Sequence, residues 1–254
     1  VPPRSRNYRQ LHEASELLFE KLAMLSPSQR EQFHDRFRAS WTYHDFALEG
    51  TVLSIAEIKA AVDPDIISSP SLIPAYHHIQ SFASAVDLLA DGRGKRLTLN
   101  LDWLKRVHGL LLPTDKKDQV QYRKDNPIHR MYFHDLAPAD KISYRMRKLT
   151  DWFRTEECKK AHPVELATEV HRELIRVFPW PDISGRVARM AMNHLLIHEG
   201  YWPALIHAID RQRYYDVLRL DQDQLLDLVV ESIEQGIESS NKLYQHIVDT
   251  MRGF

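Results

Sequence analysis

Apolar residues recur at three- and four-residue steps over most of the chain, and a stripe of that period is buried only if the backbone coils as helix. Leu11, Ala14, Leu18, Leu22 and Leu25 trace one stripe, and Leu166, Val170, Leu174 and Val177 trace another over about 163–178. Few runs alternate with β-branched residues. The 13 prolines outnumber the 8 glycines, so helices punctuated by proline are expected and not a sheet protein. The fold class read from this pattern is mainly α.

Start and stop signals divide the pattern. Ser26-Pro27-Ser28-Gln29 combines a Ser cap, a Pro at the first helical position and a Gln three residues after the cap, ahead of Phe33 and Phe37. A further helical stretch from about 41 to 49 is stopped by Gly50, Ser54-Ile55-Ala56-Glu57 opens another, and Pro64 closes this group. Residues 70–90 read as a long buried helix, and Asn100 caps one carrying Trp103, Leu104, Val107 and Leu111. From Thr114 to Pro138 the pattern is irregular and polar, with Val120-Gln121-Tyr122 and Met131-Tyr132-Phe133 as the best short strands of a small β-hairpin. Helices are expected again at about 140–155, 163–178 and 207–251, with one between them running to a stop at Gly200.

Composition bounds what such a bundle does. Lys plus Arg number 34 against 35 Asp plus Glu, so no global field recruits nucleic acid or an anionic membrane. A single cysteine, Cys158, excludes an internal disulfide and a cysteine-based zinc cluster and fits a reducing, cytoplasmic setting. No apolar run approaches the ~18 residues of a membrane span. Val1-Pro2-Pro3-Arg4 is not a signal-peptide start, and the missing initiator Met suggests processing or truncation.

The informative interruption is Phe178-Pro179-Trp180-Pro181-Asp182-Ile183-Ser184-Gly185, which holds two prolines and a glycine between strongly helical flanks. The helix it feeds carries Ser184, Gly185, Arg186 and Arg189 in its first turns. Helix N-terminal amides lack partners within the helix and the macrodipole is positive there, so phosphate oxygens suit that end. Arg186 and Arg189, three apart, add two charged forks on one face, and Asp182 offers a ligand for a magnesium ion bridging phosphates. On spacing alone, Asp182 or Ser184 is equally a helix cap.

Residues 178–189 resemble a degraded copy of the signature of the Fic (AMP-transferase) family, His-Pro-Phe-x-Asp/Glu-Gly-Asn-Gly-Arg-x-x-Arg. Pro179, Asp182, Gly185, Arg186 and Arg189 match it; Phe178 stands at the histidine, Ile183 at a glycine and Ser184 at the asparagine. His171, Val107-His108, Val120-Gln121-Tyr122-Arg123, Asn193, Gly200-Tyr201-Trp202-Pro203 and Arg213-Tyr214-Tyr215 also fit the family pattern. Far upstream, Tyr43-His44-Asp45-Phe46-Ala47-Leu48-Glu49-Gly50 resembles the family's inhibitory helix, with Asp45 at its Ser/Thr position. The resemblance implies N-terminal helices over 1–65, a Fic-like core with a hairpin flap over 66–218, and C-terminal helices over 219–254. It further implies ATP or another nucleotide with Mg2+ as ligands, a protein target docked on the 120–138 flap, and Glu49 paired with Arg189 as an inhibitory contact. The balanced charge and the lack of a membrane-length apolar run point to no nucleic-acid or membrane partner, and export as an effector stays open.

The family's signature histidine is a general base, and a phenyl ring accepts no proton. General-base catalysis contributes about 10²–10⁴-fold, so ordinary AMP transfer should be severely reduced. A branched Ile183 in place of glycine should reshape the phosphate loop. Three readings follow. The chain is a Fic-fold protein with a degenerate site that binds nucleotide or another phosphate ligand, or only a protein partner. Alternatively it transfers a phosphoryl, nucleotidyl or sugar group with another base, His129 or His134 of the flap. In the third reading it is a protein-interaction scaffold whose arginines form ion pairs. His194 and His198, at i, i+4, read as structural histidines, Trp180 as a wedge between two prolines, Tyr214 and Tyr215 as core, and Cys158 as a non-catalytic thiol.

Overall fold

The helix after the proline-rich loop has almost no polar stripe, so it can be stable only when surrounded. In the computed structural model it runs Ser184–His198 (α9), and every residue from Ser184 to Ile197 is buried. Five polar side chains are carried inside with it: Ser184, Arg186, Arg189, Asn193 and His194. Each must find a partner there, because an unpaired buried polar group is costly. Asn193 illustrates the solution, donating to the Ala204 carbonyl at 3.2 Å and accepting from the Ala204 amide at 2.7 Å, which ties the segment after Gly200 against α9.

The described residues are 7–63, 75–90, 93, 99–112, 121–127, 136–220 and 222–252. Around α9 lie α1 (Tyr8–Ala23), α2 (Pro27–Leu48), α3 (Ile55–Val62), α4 (Tyr76–Ala90), α5 (Leu101–Leu111), α6 (Ile142–Trp152), α7 (Glu156–Lys160), α8 (Pro163–Val177), α10 (Arg211–Val217) and α11 (Gln222–Arg252). Short 3-10 turns at Ala139–Lys141 and Ala208–Asp210 lead into α6 and α10. α8 packs antiparallel to α9 across the short loop joining them, α4 and α5 lean on α9, and α11 packs on α1, α2 and α8. One hydrophobic core draws on all of these helices except α7.

Capping chemistry works as written in the sequence. Ser26 and Gln29 form a reciprocal capping box, as do Ser54 and Glu57, and Asn100 accepts from the Trp103 amide at 2.8 Å. Two helix expectations are corrected. The stretch at 41–49 is no separate helix but the end of α2, since nothing between Phe37 and Trp41 breaks it. The helix expected over 140–155 ends at Trp152, and Thr155 caps the extra turn α7. The segment expected to be helical over about 207–251 is so, as a 3-10 turn, α10 and α11. In the flap, Gln121 and Tyr122 are irregular and no strand occurs among the described residues; the neighbouring Arg123 amide bonds Pro179 O on the α8–α9 loop and not a ladder partner. The second expected strand, with His129 and His134, lies outside the described residues.

Candidate functional site

Two non-glycine residues of the α8–α9 loop sit at positive φ. Phe178 has φ 43° and ψ 65°, and Ile183 has φ 55° and ψ 10°. For a branched side chain this is a strained conformation, of order 1–3 kcal/mol. Ile183 nonetheless adopts the left-handed turn that a glycine takes freely. Ser184 Oγ accepts from the Trp180 amide at 2.8 Å and donates to the Trp180 carbonyl at 2.9 Å, which closes the turn. Trp180 is fully buried and stacks on His108, with ring centroids 4.4 Å apart.

Arg123 clamps the loop from outside. Its amide donates to the Pro179 carbonyl at 2.9 Å, and its Nε to the Phe178 carbonyl at 2.7 Å. Nη2 reaches the Val177 carbonyl at 3.3 Å and the Ala137 carbonyl, while Nη1 holds Asp125 O and Asn126 Oδ1, each at 3.0 Å. One side chain thus satisfies carbonyls that the end of α8 leaves open.

The end of α2 is fixed just as tightly. Gly50, at φ 83°, ends it in a Schellman turn: the Thr51 amide bonds Phe46 O at 2.9 Å and the Gly50 amide bonds Ala47 O at 3.0 Å. Tyr215 Oη and Arg211 Nε both donate to the Leu48 carbonyl, at 2.9 and 3.0 Å. This places Asp45 and Glu49, one turn apart, over the first turns of α9. Asp45 accepts from Arg186 Nε at 3.1 Å, from Arg189 Nε at 2.7 Å and from Arg189 Nη2 at 3.0 Å. Glu49 accepts from Arg189 Nη2 at 2.6 Å. The Arg186 guanidinium also lies 3.9 Å over the Phe46 ring.

Behind this cluster, Tyr214 Oη lies 3.5 Å from Arg189 Nη1 and 3.0 Å from His171 Nε2. Burial pulls the Arg189 pKa down, but the Asp45 and Glu49 carboxylates outweigh it and hold the guanidinium protonated well beyond its ordinary range. Burial, then the charge of Arg189, lowers His171 to about 3, and it is neutral. Burial, then His207, lowers His44 to about 4. His44 stacks on His207 with centroids 4.5 Å apart, and its Nδ1 accepts from the Ala208 amide at 3.1 Å. His108 is lowered to about 4 by burial, against an opposing pull from Asp182.

Of the residues singled out in the sequence, Ser184, Gly185, Arg186, Arg189 and Glu49 come together, and Phe178 is buried beside them. Asp182 is exposed on the loop. Asp45 occupies the charged forks of Arg186 and Arg189 at the start of α9. Sequence reasoning assigned Asp45 no role, although its position one turn before Glu49 puts two carboxylates on one helix face that need cations. It also missed the clamp made by Arg123. His194 stacks on Trp103 and His198 lies 3.0 Å from Glu199. A groove of about 530 Å³ lined by Tyr122, Arg123, Asn126 and Pro181 opens beside the loop.

The matches to known proteins coincide with this architecture. Residues 98–196 match the family model described as Fic/DOC family. Over this range the chain is similar to the Fic/DOC family. The match contains the α8–α9 loop and both arginines, whereas Asp45 and Glu49 lie outside it. Among curated relatives, the protein adenylyltransferase Fic of Drosophila willistoni is 24% identical over 203 residues, 80% of this chain and 40% of the relative. That of Drosophila sechellia is 23% identical over 203 residues, 80% of this chain and 41% of the relative. The chain thus spans about two fifths of the curated relatives it matches. The chain also has solved neighbours in fold. A Fic domain containing signaling protein from Bacteroides thetaiotaomicron superposes with a TM-score of 0.72 at 20% identity, covering 93% of this chain and 97% of its own. Fic-1 (aa134 - 508) from C. elegans does so at 0.71 and 19%, covering 96% and 73%. Among the described residues no helix is long and apolar enough to cross a membrane.

Proposed function

We propose that this Fic-fold protein carries out no histidine-dependent AMP transfer and keeps, behind the end of α2, an arginine pair that binds nucleotide or another phosphate ligand. The observation that carries the reading is the identity and setting of position 178. Phe178 is 4% exposed, packed in the core at the mouth of α9, and offers no atom that takes a proton from an attacking hydroxyl. The loss is about 10²–10⁴-fold on general-base grounds alone. A ligand-binding role is supported by Arg186. It is 6% exposed, yet its two Nη groups have no hydrogen-bond partner among the described residues, so it retains donors for an anion. Asp182, exposed at the same loop, is a suitable hard oxygen ligand for Mg2+, whose charge would offset that of bound phosphates.

The test is transfer of labelled AMP from ATP, to the protein itself and to lysate proteins. No labelling is expected from the native chain or from Glu49→Gly, and robust labelling by either overturns the proposal. A second reading, a protein-interaction scaffold, is favoured by the engagement of all three Arg189 nitrogens within the chain. On that reading Arg186→Ala leaves partner binding intact, and no nucleotide changes thermal stability once the α2 carboxylates are removed.

A further inference from the structure

We infer that the groove between α6 and α8 is a docking surface for an acidic segment of another protein, one that carries an aromatic or aliphatic side chain among its carboxylates. The inference is independent of the phosphate-binding reading. In a chain of nearly balanced charge, α6 carries Arg145, Arg147 and Lys148 against Asp151 alone. Ile142, Met146 and Leu149 turn the apolar side of this helix into the core, which leaves the cations outside. Arg145, Lys148 and Trp152 follow at three- and four-residue steps, with Tyr144 one turn before Lys148. All four line a groove of about 440 Å³ whose other wall carries Glu169, Glu173 and Val177 of α8.

The two walls differ in charge. On α8, Arg172 holds Glu169 at 2.8 Å and Arg176 reaches Glu173 at 3.4 Å, so that wall is neutral in sum. On α6, Arg145 and Lys148 are exposed and have no ion-pair or hydrogen-bond partner among the described residues, which leaves two cations to be met by carboxylates from outside. Tyr144 beside them is 59% exposed, and Trp152 is half-buried at the far end. Aromatic and arginine side chains set together in a groove are the usual anchors of a protein interface. From Tyr144 to Trp152 the stripe is roughly 12 Å long, the span of about four residues of extended chain. A nucleic acid fits less well, because a phosphodiester strand needs cations along its track and the α8 wall presents Glu169 and Glu173 to it. The Ala137 amide bonds the Arg176 carbonyl at 2.9 Å, which ties the end of the flap to the same stretch of α8 and sets the groove beside the α8–α9 loop.

The test is selection of a displayed random-peptide library on the full chain, followed by fluorescence anisotropy of the enriched peptides. Enriched sequences should combine Asp or Glu with an aromatic or aliphatic residue, and their binding should weaken as salt is raised. Arg145→Glu/Lys148→Glu should weaken it about tenfold or more, and Tyr144→Ser about threefold. Arg147→Glu/Arg154→Glu makes the same change in charge on exposed positions of the same region that do not line the groove, and it should leave binding within about twofold of native. Failure to enrich acidic sequences overturns the proposal. So does an equal loss in the two double variants, which would mean that the general field of the region and not the groove attracts the peptide. A single-stranded oligonucleotide that displaces the peptide and binds more tightly than it overturns the assignment to a protein partner. If Arg145→Glu/Lys148→Glu does not fold, Arg145→Gln and Lys148→Gln, each expected to lose about threefold, are read by the same criteria.

Discussion

Asp45 and Arg189, 144 positions apart, meet as a two-pronged pair, with Nε on Oδ2 at 2.7 Å and Nη2 on Oδ1 at 3.0 Å. Their side chains are 3% and 4% exposed. Solvent screening does little at that depth, and the pair's worth lies less in its own attraction than in the cost of leaving either charge alone. Arg189→Ala removes two of the three hydrogen bonds to Asp45 and one to Glu49, and it should cost about 3–5 kcal/mol, or roughly 6–20 °C of melting temperature in a chain of this size. Arg189→Lys keeps the charge but not the fork and should lose less. A urea midpoint for Arg189→Ala indistinguishable from native would show that the cluster is not structural.

Gly50 sets where the carboxylates point. At φ 83° an added Cβ would meet nothing closer than Arg211 Nη2 at 3.5 Å, an ordinary contact, so the cost of substitution is conformational and not steric crowding. Gly50→Ala should lose about 1–2 kcal/mol, and Gly50→Asn, which tolerates the left-handed turn, less. Equal melting temperatures for the two variants would contradict a cost rooted in the backbone.

Stability should fall in acid for a reason visible in three rings. His44 and His108 are lowered to about 4 and His171 to about 3, against 6.5 for an unfolded imidazole. Above pH 6.5 both states are neutral at these positions and nothing is lost. Below it the unfolded chain takes up protons that the folded chain refuses, so each ring removes up to about 1.4 kcal/mol per pH unit until its folded pKa is reached. Thermal melts between pH 8 and 4.5 should show a plateau above 6.5 and a steep decline beneath it. His44→Asn should shallow the decline, and an identical pH profile for that variant would remove His44 from the explanation.

The helices were legible because burial imposes a period on the sequence, as along Leu166, Val170, Leu174 and Val177. The loop signature was legible because two prolines and a glycine in eight residues leave few alternatives. Less was legible where distance in sequence hid a partner. Asp45 and Glu49 on one face, and Arg186 and Arg189 on another, each stated an unmet charge, but neither pair names the other. The left-handed Ile183 was unreadable for a different reason. Local preference disfavours it, and the tertiary frame overrides that preference through the turn between Trp180 and Ser184. α7 escaped notice because five residues are too short to show a period.

That frame gives Arg123 its weight. It is 5% exposed, and burial lowers its pKa, while its donors are spent on carbonyls and one amide oxygen, with no carboxylate among them. Removing it uncovers the Val177 and Phe178 carbonyls at the point where the strained loop begins. A buried acceptor left open costs about 1–3 kcal/mol, so Arg123→Ala should destabilise the chain by about 2–4 kcal/mol overall. Lysine, a point charge without the fork, should recover only part of this. Because the clamp holds the loop and not α2, amide exchange should quicken over residues 177–184 while the 41–49 turn stays protected. Uniform quickening across both segments would mean that Arg123 supports the whole bundle and not the loop.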